Sequence, residues 1–433
     1  MRYLSTRGGT RPVSLGVALA AGLAPDGGLY VPEGLPLFRT DAFSGREPLS
    51  TLAAGMLEPF FNGDALLVHL PIICAEALDI PAPLRALAPR AWILELFRGP
   101  TAAFKDFGAR FLAASLSRLH AHDASPLTIL VATSGDTGAA VAAAFHRRAG
   151  FRVVILYPDG RVSPRQAHQL GCFGDNVLAL RVAGSFDDCQ TLVKQALNDQ
   201  ALKQSTPLTS ANSISLGRLL PQMSYYVQAA IAHWLEHGRR LNFVIPTGNL
   251  GNALACVFAR GTGVPIGDIV LATNANRVLP DFFAGSDYSP RPAVKTLANA
   301  MDVGAPSNFE RLRWLYRDDA AARAVLSAES VDDAEIREVI RSSRERYGAV
   351  VCPHTATALR VFERLRARGD RRDFAVVATA HPAKFEQVIE PLIGSKIEIP
   401  ATLAALLDRP SHAESLPADY AALRERLLAS AAA

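Results

Sequence analysis

Lys105 is the residue of this sequence best set for covalent chemistry. It stands in Gly99-Pro100-Thr101-Ala102-Ala103-Phe104-Lys105-Asp106-Phe107-Gly108, between a strand-like run at 92–96 and a predicted helix running toward His120. Phe104, Phe107, Phe111 and Ala114 recur at helical spacing and so form one apolar face. Lys105 therefore falls where a helix begins, between two aromatic rings. Partial desolvation there disfavours the ammonium, and a neutral amine is the form that makes a Schiff base with an aldehyde. The same placement also suits a surface lysine that snorkels past a buried Phe pair.

Two small-residue turns each join an apolar run to a helical pattern. In Ala132-Thr133-Ser134-Gly135-Asp136-Thr137-Gly138, glycine allows close backbone approach, and free N–H groups at a helix start attract an anion such as a carboxylate. An ordinary capping turn, with Ser134 or Asp136 satisfying those N–H groups, fits equally. Pro246-Thr247-Gly248-Asn249-Leu250-Gly251-Asn252 can wrap backbone donors around a phosphate. It lacks the Gly-Lys-Ser/Thr of a P-loop and the Gly-x-Gly-x-x-Gly of a dinucleotide turn. Further polar groups sit in Ser210-Ala211-Asn212-Ser213-Ile214, with Arg218 downstream, and in Ala378-Thr379-Ala380-His381-Pro382-Ala383-Lys384-Phe385. Strand ends bind ligands in open α/β sheets. Asn212, Ser213 and Arg218 read as caps or ion pairs as readily as substrate contacts, and His381 and Lys384 divide the same way. His120 and His122 lack carboxylate or cysteine partners at ligand spacing, so no metal is expected.

The elements that must hold these groups alternate. Strand-length apolar runs at 127–132, 152–157, 177–182, 241–245, 269–272 and 374–379 are separated by helical patterns. These lie at 137–149, after Ser163-Pro164, at 185–197 with Ser185 and Asp188 spaced as a capping box, at 331–346 and at 355–368. Such alternation predicts an α/β fold of parallel or mixed sheets covered by helices on both faces. The first 90 residues, rich in Pro and Gly, read as a helical N-terminal domain. The expected domains are 1–91, a large α/β domain of 92–126 and 208–433, and a small α/β domain of 127–207. No internal repeat is present, and the Ala-rich C-terminal end is expected to fray.

With 433 residues, 49% of them hydrophobic, the chain can fill more than one core. Its formal charge of +4 is spread without a long basic run, which argues against a nucleic-acid partner. The five cysteines are odd in number and far apart, so neither a disulfide framework nor a Cys-x-x-Cys site is expected, and a reducing cytoplasm fits. Arg2, Arg7 and Arg11 before the apolar run 13–24 mimic a short signal peptide, but Ser14, Gly16 and Gly22 interrupt it, and Pro25-Asp26-Gly27-Gly28 reads as the end of a surface helix. No segment has the roughly 20 apolar residues of a spanning helix, so a soluble protein without a membrane partner is expected.

Taken in order, these motifs resemble the threonine synthase family, within the tryptophan-synthase-β-like (fold type II) pyridoxal-phosphate enzymes. The resemblance begins at Tyr3-Leu4-Ser5-Thr6-Arg7-Gly8 and Asp26-Gly27-Gly28-Leu29-Tyr30-Val31-Pro32. It runs through the lysine, serine-glycine and glycine-loop motifs, takes in Asn299-Ala300-Met301-Asp302-Val303 and Pro353-His354-Thr355-Ala356, and ends at 379–385. It implies that Lys105 holds pyridoxal 5'-phosphate as an internal aldimine and later serves as base. It also implies that the backbone of Gly248, Asn249, Leu250, Gly251 and Asn252 binds the cofactor phosphate, and that Thr379 offers its hydroxyl to the pyridine nitrogen. Asp136 stands where a shorter branch of the family has asparagine beside the ring hydroxyl, and Leu250 where phenylalanine is frequent. Ser134, Gly135 and Thr137 would hold the substrate carboxylate, with Asn212, Ser213, Arg218 and Lys384 as further substrate contacts, the last three as candidates for its phosphate.

The implied reaction takes O-phospho-L-homoserine and water to L-threonine and phosphate, by γ-elimination followed by addition of water at Cβ. A related phospho-lyase would give 2-oxobutyrate instead, and a serine or threonine dehydratase shares the fold. A non-catalytic ligand-binding protein or a nucleotide-binding Rossmann protein could use similar glycine turns. The expected assembly is a monomer or homodimer.

Overall fold

The apolar runs of the sequence form strands because each sits between turn residues and is buried on both faces. The structure is a computed structural model that describes residues 1–121 and 125–432; His122 lies outside the described residues. Its strands are β1 (Tyr3–Ser5), β2 (Tyr30–Pro32), β3 (Leu84–Ala88), β4 (Ala91–Glu95), β5 (Leu127–Ala132), β6 (Phe151–Pro158), β7 (Val177–Ala183), β8 (Leu208–Ser210), β9 (Leu241–Pro246), β10 (Ile266–Thr273), β11 (Leu326–Ser330), β12 (Phe374–Ala378) and β13 (Glu414–Pro417). A larger sheet runs β11-β10-β9-β12-β4-β3, parallel except for the edge pair β3/β4, and a smaller sheet runs β13-β7-β6-β5-β8, parallel throughout.

Alternating side chains feed separate cores. In β5, Ile129 and Val131 join one apolar cluster with Phe145, Val153 and Ile155, whereas Leu130 and Ala132 join another with Val154, Leu156 and Leu180. In β12, Ala375 and Val377 face one core, and Phe374 and Val376 the other. This two-period split is what burying both faces of a parallel sheet requires.

Helix starts follow the local chemistry of the sequence. Ser163 with Gln166, Ser185 with Asp188, and Asp332 with Glu335 all close reciprocal capping boxes. The helix expected over 137–149 spans Asp136–Phe145 and stops early. Its end is pinned by Asn176, whose Nδ2 donates to the carbonyls of Phe145 (2.9 Å) and Phe151 (3.0 Å), and Arg147 then turns left-handed at φ 57°.

The N-terminal segment contains the helices Leu15–Ala21, Leu49–Phe61 and Leu70–Ala77, and also an antiparallel ribbon of β1 with β2. The signal-like run at 13–24 forms the first of these helices, burying Leu15, Ala18 and Leu19. Asp26 ties the ribbon together, accepting from Ser5 Oγ (2.7 Å) and Gly28 N (2.9 Å). Arg311, wholly buried, donates to the Tyr30 carbonyl (3.0 Å), to Asn308 Oδ1 (2.7 Å) and to the Ile214 carbonyl (2.6 Å), so the ribbon braces the loops beside the site. Among the described residues no helix is long and apolar enough to cross a membrane.

Candidate active site

The chain leaves the carboxyl ends of β4, β9 and β12, neighbours in the larger sheet, into one cavity, where open α/β sheets place their ligands. It is lined by Phe104, Lys105, Asp136, Ser213, Arg218, Gln222, Pro246, Thr247, Gly248, Asn249, Leu250, Gly251, Asn252, Ala300, Met301, His354 and Thr379.

The approach from β4 to Lys105 is built to be rigid. Phe104 N donates to the Thr379 carbonyl (2.8 Å) and His381 N to that of Ala102 (3.0 Å), which staples the loop to the exit of β12. Beneath it, the buried Asp106 carboxylate accepts from Thr101 N (2.9 Å) and Thr101 Oγ1 (2.6 Å). A Cβ at Gly99 would lie 2.4 Å from Asp106 Oδ2, so only glycine lets the loop close over that carboxylate.

Lys105 opens the helix Lys105–Leu119. Its side chain is half-buried, the surface it keeps borders the cavity, and its Nζ lies 4.5 Å from the Phe104 ring centroid. Burial, and next the Arg218 guanidinium, bring its pKa down to about 8, against the opposing pull of Asp136. At pH 7.5 roughly a quarter of such amines are neutral, against roughly one in a thousand for an unperturbed lysine.

The glycine loop follows β9. Leu250 takes the left-handed region at φ 63°, and the helix Gly251–Gly261 begins immediately after, presenting its first N–H groups. A Cβ at Gly248 would sit 2.7 Å from Met301 Cα, so the loop and the 299–303 segment are in backbone contact. Asn249 Nδ2 donates to Ser213 Oγ (2.7 Å), and Asn308 Nδ2 to the Asn249 carbonyl (3.0 Å). Asn252 Oδ1 accepts from Tyr225 (2.8 Å) and Tyr226 (2.7 Å), while its buried Nδ2 has no partner among the described residues.

Arg218 carries the second orphan. Nη1 donates to the Ala211 carbonyl (2.5 Å), but Nε has no partner among the described residues, and burial lowers the guanidinium pKa to about 10 despite Asp106. No carboxylate pairs with it among the described residues. Donors left unsatisfied and a buried cation left unpaired are costly, and an anion in this cavity would relieve both.

The turn after β5 is capped by Thr133, not by Ser134 or Asp136: Thr133 Oγ1 accepts from Gly135 N (3.0 Å) and Gly138 N (2.9 Å). Gly135 lies at φ 132°, and a Cβ there would approach Gln166 Nε2 to 2.6 Å. Asp136 is buried, and its Oδ1 meets Lys384 Nζ (2.8 Å) and Gln166 Nε2 (3.0 Å). Burial raises its pKa, but the Lys384 charge, with the hydrogen bonds from Lys384 and Gln166, outweighs that and holds it below the ordinary value.

The sequence-expected residues thus divide. Lys105, Asp136, Ser213, Arg218, the loop 248–252 and Thr379 share the cavity. Ser134 lines an adjoining cleft with Arg161, Lys295 and Asn299, and Asn299 Nδ2 reaches the Ser134 carbonyl at 3.5 Å. Gly135, in the turn, and Thr137, in the first turn of the helix Asp136–Phe145, lie outside the lining of both. Asn212 is in the loop after β8, its Nδ2 directed at the Ala132 carbonyl (3.4 Å). Lys384 is wholly buried behind Asp136, and His381 caps its own turn, Nδ1 accepting from Ala383 N (3.2 Å).

Sequence reasoning misses His354 as a site residue. Burial and the cations Lys105 and Lys384 hold it neutral, with a pKa of about 4 despite Asp136, and its Nε2 accepts from Ala300 N (3.2 Å). Its position, second in a helix opened by Pro353, was the available signal.

Residues 72–382 match the family described as pyridoxal-phosphate dependent enzyme, residues 2–77 the threonine synthase N terminus, and residues 355–426 the threonine synthase C-terminal family. Threonine synthase of Escherichia coli is 37% identical over 430 residues, 99% of each chain. Its crystal structure superimposes with a TM-score of 0.92 over 99% of this chain and 100% of that one. Pyridoxal-phosphate-bound threonine synthase from Brucella melitensis gives a TM-score of 0.90 at 33% identity, covering 100% of both chains.

Proposed function

The chain belongs to the threonine synthase family of pyridoxal-phosphate dependent enzymes, and on that premise we propose that Lys105 carries the cofactor while O-phospho-L-homoserine and water become L-threonine and phosphate. The carrying observation is that one amine with a lowered pKa and one glycine loop opening a helix border the same cavity.

The residues present fit pyridoxal phosphate. The helix start at Gly251 and the orphaned Asn252 Nδ2 suit its phosphate, and Thr379 at the exit of β12 suits a ring nitrogen. When bound, the cofactor supplies an electron sink for charge developing at the substrate Cα.

The chain's own groups divide the remaining work. Lys105 Nζ, released from the cofactor, takes and returns the proton at Cα, because its lowered pKa keeps a neutral fraction near pH 8. We assign the substrate carboxylate to Ser134, Gly135 and Thr137 at the start of the Asp136–Phe145 helix, which flank Asp136 where it lines the cavity. Arg218, a cavity cation without an ion-pair partner among the described residues, and Ser213 steady the departing phosphate, with Asn212 next to Ser213 in the loop as a further substrate contact. Because the Lys384 ammonium is bonded to Asp136 and the Thr101 carbonyl, we assign the phosphate to Arg218 and Ser213 rather than to it.

Incubating the purified protein with O-phospho-L-homoserine tests the reading. Threonine and phosphate in equal amounts are expected; 2-oxobutyrate and ammonia as the products would replace it with a phospho-lyase.

A further inference from the structure

Lys384 is fully enclosed, and its ammonium has two partners: Asp136 Oδ1 at 2.8 Å and the Thr101 carbonyl at 2.8 Å. The side chains of Lys384 and Asp136 are 0% and 5% exposed, so the ion pair has lost almost all its water. An ion pair this deep is seldom worth its desolvation as a stability device, since apolar residues of similar size commonly do as well. Its position suggests another use. Among the described residues Asp136 is the only carboxylate lining the cavity, and Lys384 and Gln166 both meet its Oδ1, leaving Oδ2 for the cavity.

The charges around this point are few. The Lys105 helix contributes Lys105 itself and, behind the loop, the hydrogen-bonded Asp106; the short helix Leu216–Leu219 contributes Arg218. The helix Pro353–Ala367 brings His354, neutral, and burial raises the pKa of the Cys352 thiol that caps it. Across the turn Pro382–Phe385 comes Lys384. An uncompensated carboxylate here would favour a protonated nitrogen at Lys105, and Asp136 already pulls in that direction. With an ammonium 2.8 Å away the carboxylate becomes one end of a dipole, whose field falls off faster than that of a lone charge.

We propose that Lys384 is a positioning residue that cancels the charge of Asp136, so that Asp136 offers the cofactor ring a fixed hydrogen-bond acceptor without holding the Lys105 nitrogen protonated. This rests on the assignment of Lys105 as the cofactor-bearing residue.

The test uses Lys384→Met, Asp136→Asn, the double variant and Lys384→Arg, each loaded with cofactor, with visible absorbance followed against pH and the melting temperature of each apo-protein recorded. In Lys384→Met the lone carboxylate should raise the absorbance midpoint by about one pH unit or more. In Asp136→Asn the lone ammonium should lower it. The double variant should return close to wild type, and Lys384→Arg should leave it there. If Lys384→Met does not fold, the downward shift in Asp136→Asn and its reversal in the double variant carry the test. Lower melting temperatures with an unmoved midpoint would mark a purely structural pair and overturn the proposal. A wild-type protein with no cofactor band would instead sink the Lys105 assignment itself.

Discussion

Two glycines three residues apart in one loop should respond oppositely to a methyl group. An alanine Cβ at Gly248 would meet Met301 Cα at 2.7 Å, its carbonyl oxygen at 3.0 Å and its carbonyl carbon at 3.1 Å. All three are backbone atoms, so relief requires moving either the loop or the 299–303 segment, and that segment is tied by Ala300 N to His354. Inserting a methyl group into so tight a contact costs about 1–3 kcal/mol. If the strain is relieved by displacing the loop, cofactor affinity falls by roughly 5- to 150-fold. At Gly251 the nearest atoms to a new Cβ, Asn308 Nδ2 and Ser213 Cβ, lie at 3.5 Å, an ordinary contact, and alanine favours the helix that begins there. Titrating apo-protein with pyridoxal phosphate by absorbance should therefore show a large loss for Gly248→Ala and a change of about threefold or less for Gly251→Ala. Equal losses at both positions, or a greater loss at Gly251, would refute the assignment of Gly248 as the contact that fixes the loop.

Other perturbations separate the site from its scaffold. Gly135→Ala combines a φ of 132° with a Cβ 2.6 Å from Gln166 Nε2, so kcat/KM for O-phospho-L-homoserine should fall at least about tenfold; undiminished turnover would count against a role for this turn. Because the free amine is the reactive form, the rate at which apo-protein takes up cofactor should climb with pH and level off above about 8, as stopped-flow absorbance can show. A flat profile from pH 6 to 9 would contradict the lowered pKa. At the opposite end of β12, the buried Asp373 accepts from Arg90 (2.6 Å), Arg239 (2.8 Å) and His233 (3.0 Å). Asp373→Ala should destabilise by about 1–3 kcal/mol in a urea melt with cofactor affinity unchanged; altered affinity would mean the two ends of the strand are coupled.

Much of this architecture was legible because its signals are local. Strand β5 runs 127–132 as expected, since five apolar residues and the β-branched Thr128 lie between Ser125-Pro126 and the Thr133–Gly138 turn. The Ser185 box needed only two residues three apart. The strands β1, β2, β8, β11 and β13 left little trace, being three to five residues long and too short for periodicity to register. The cap by Thr133 was hidden because three hydroxyl or carboxylate side chains stand within four residues, and only geometry chooses among them. Lys384 illustrates the deeper limit. The sequence leaves Lys384 open between an ion pair and a substrate contact, and its burial depends on a carboxylate 248 positions away in sequence (384 minus 136). Lys105 was legible for the converse reason, because the aromatic side chains that surround it lie within its own helix and loop.

The central claim is that one particular nitrogen holds the cofactor. The chain has six lysines, Lys105, Lys194, Lys203, Lys295, Lys384 and Lys396, so a borohydride reduction of the cofactor-loaded protein followed by peptide mass spectrometry can choose among them. The reduced pyridoxyl group should appear on the peptide containing Lys105 and vanish from the Lys105→Ala protein. A pyridoxyl group on any other lysine, or one that persists after Lys105 is removed, would contradict the account.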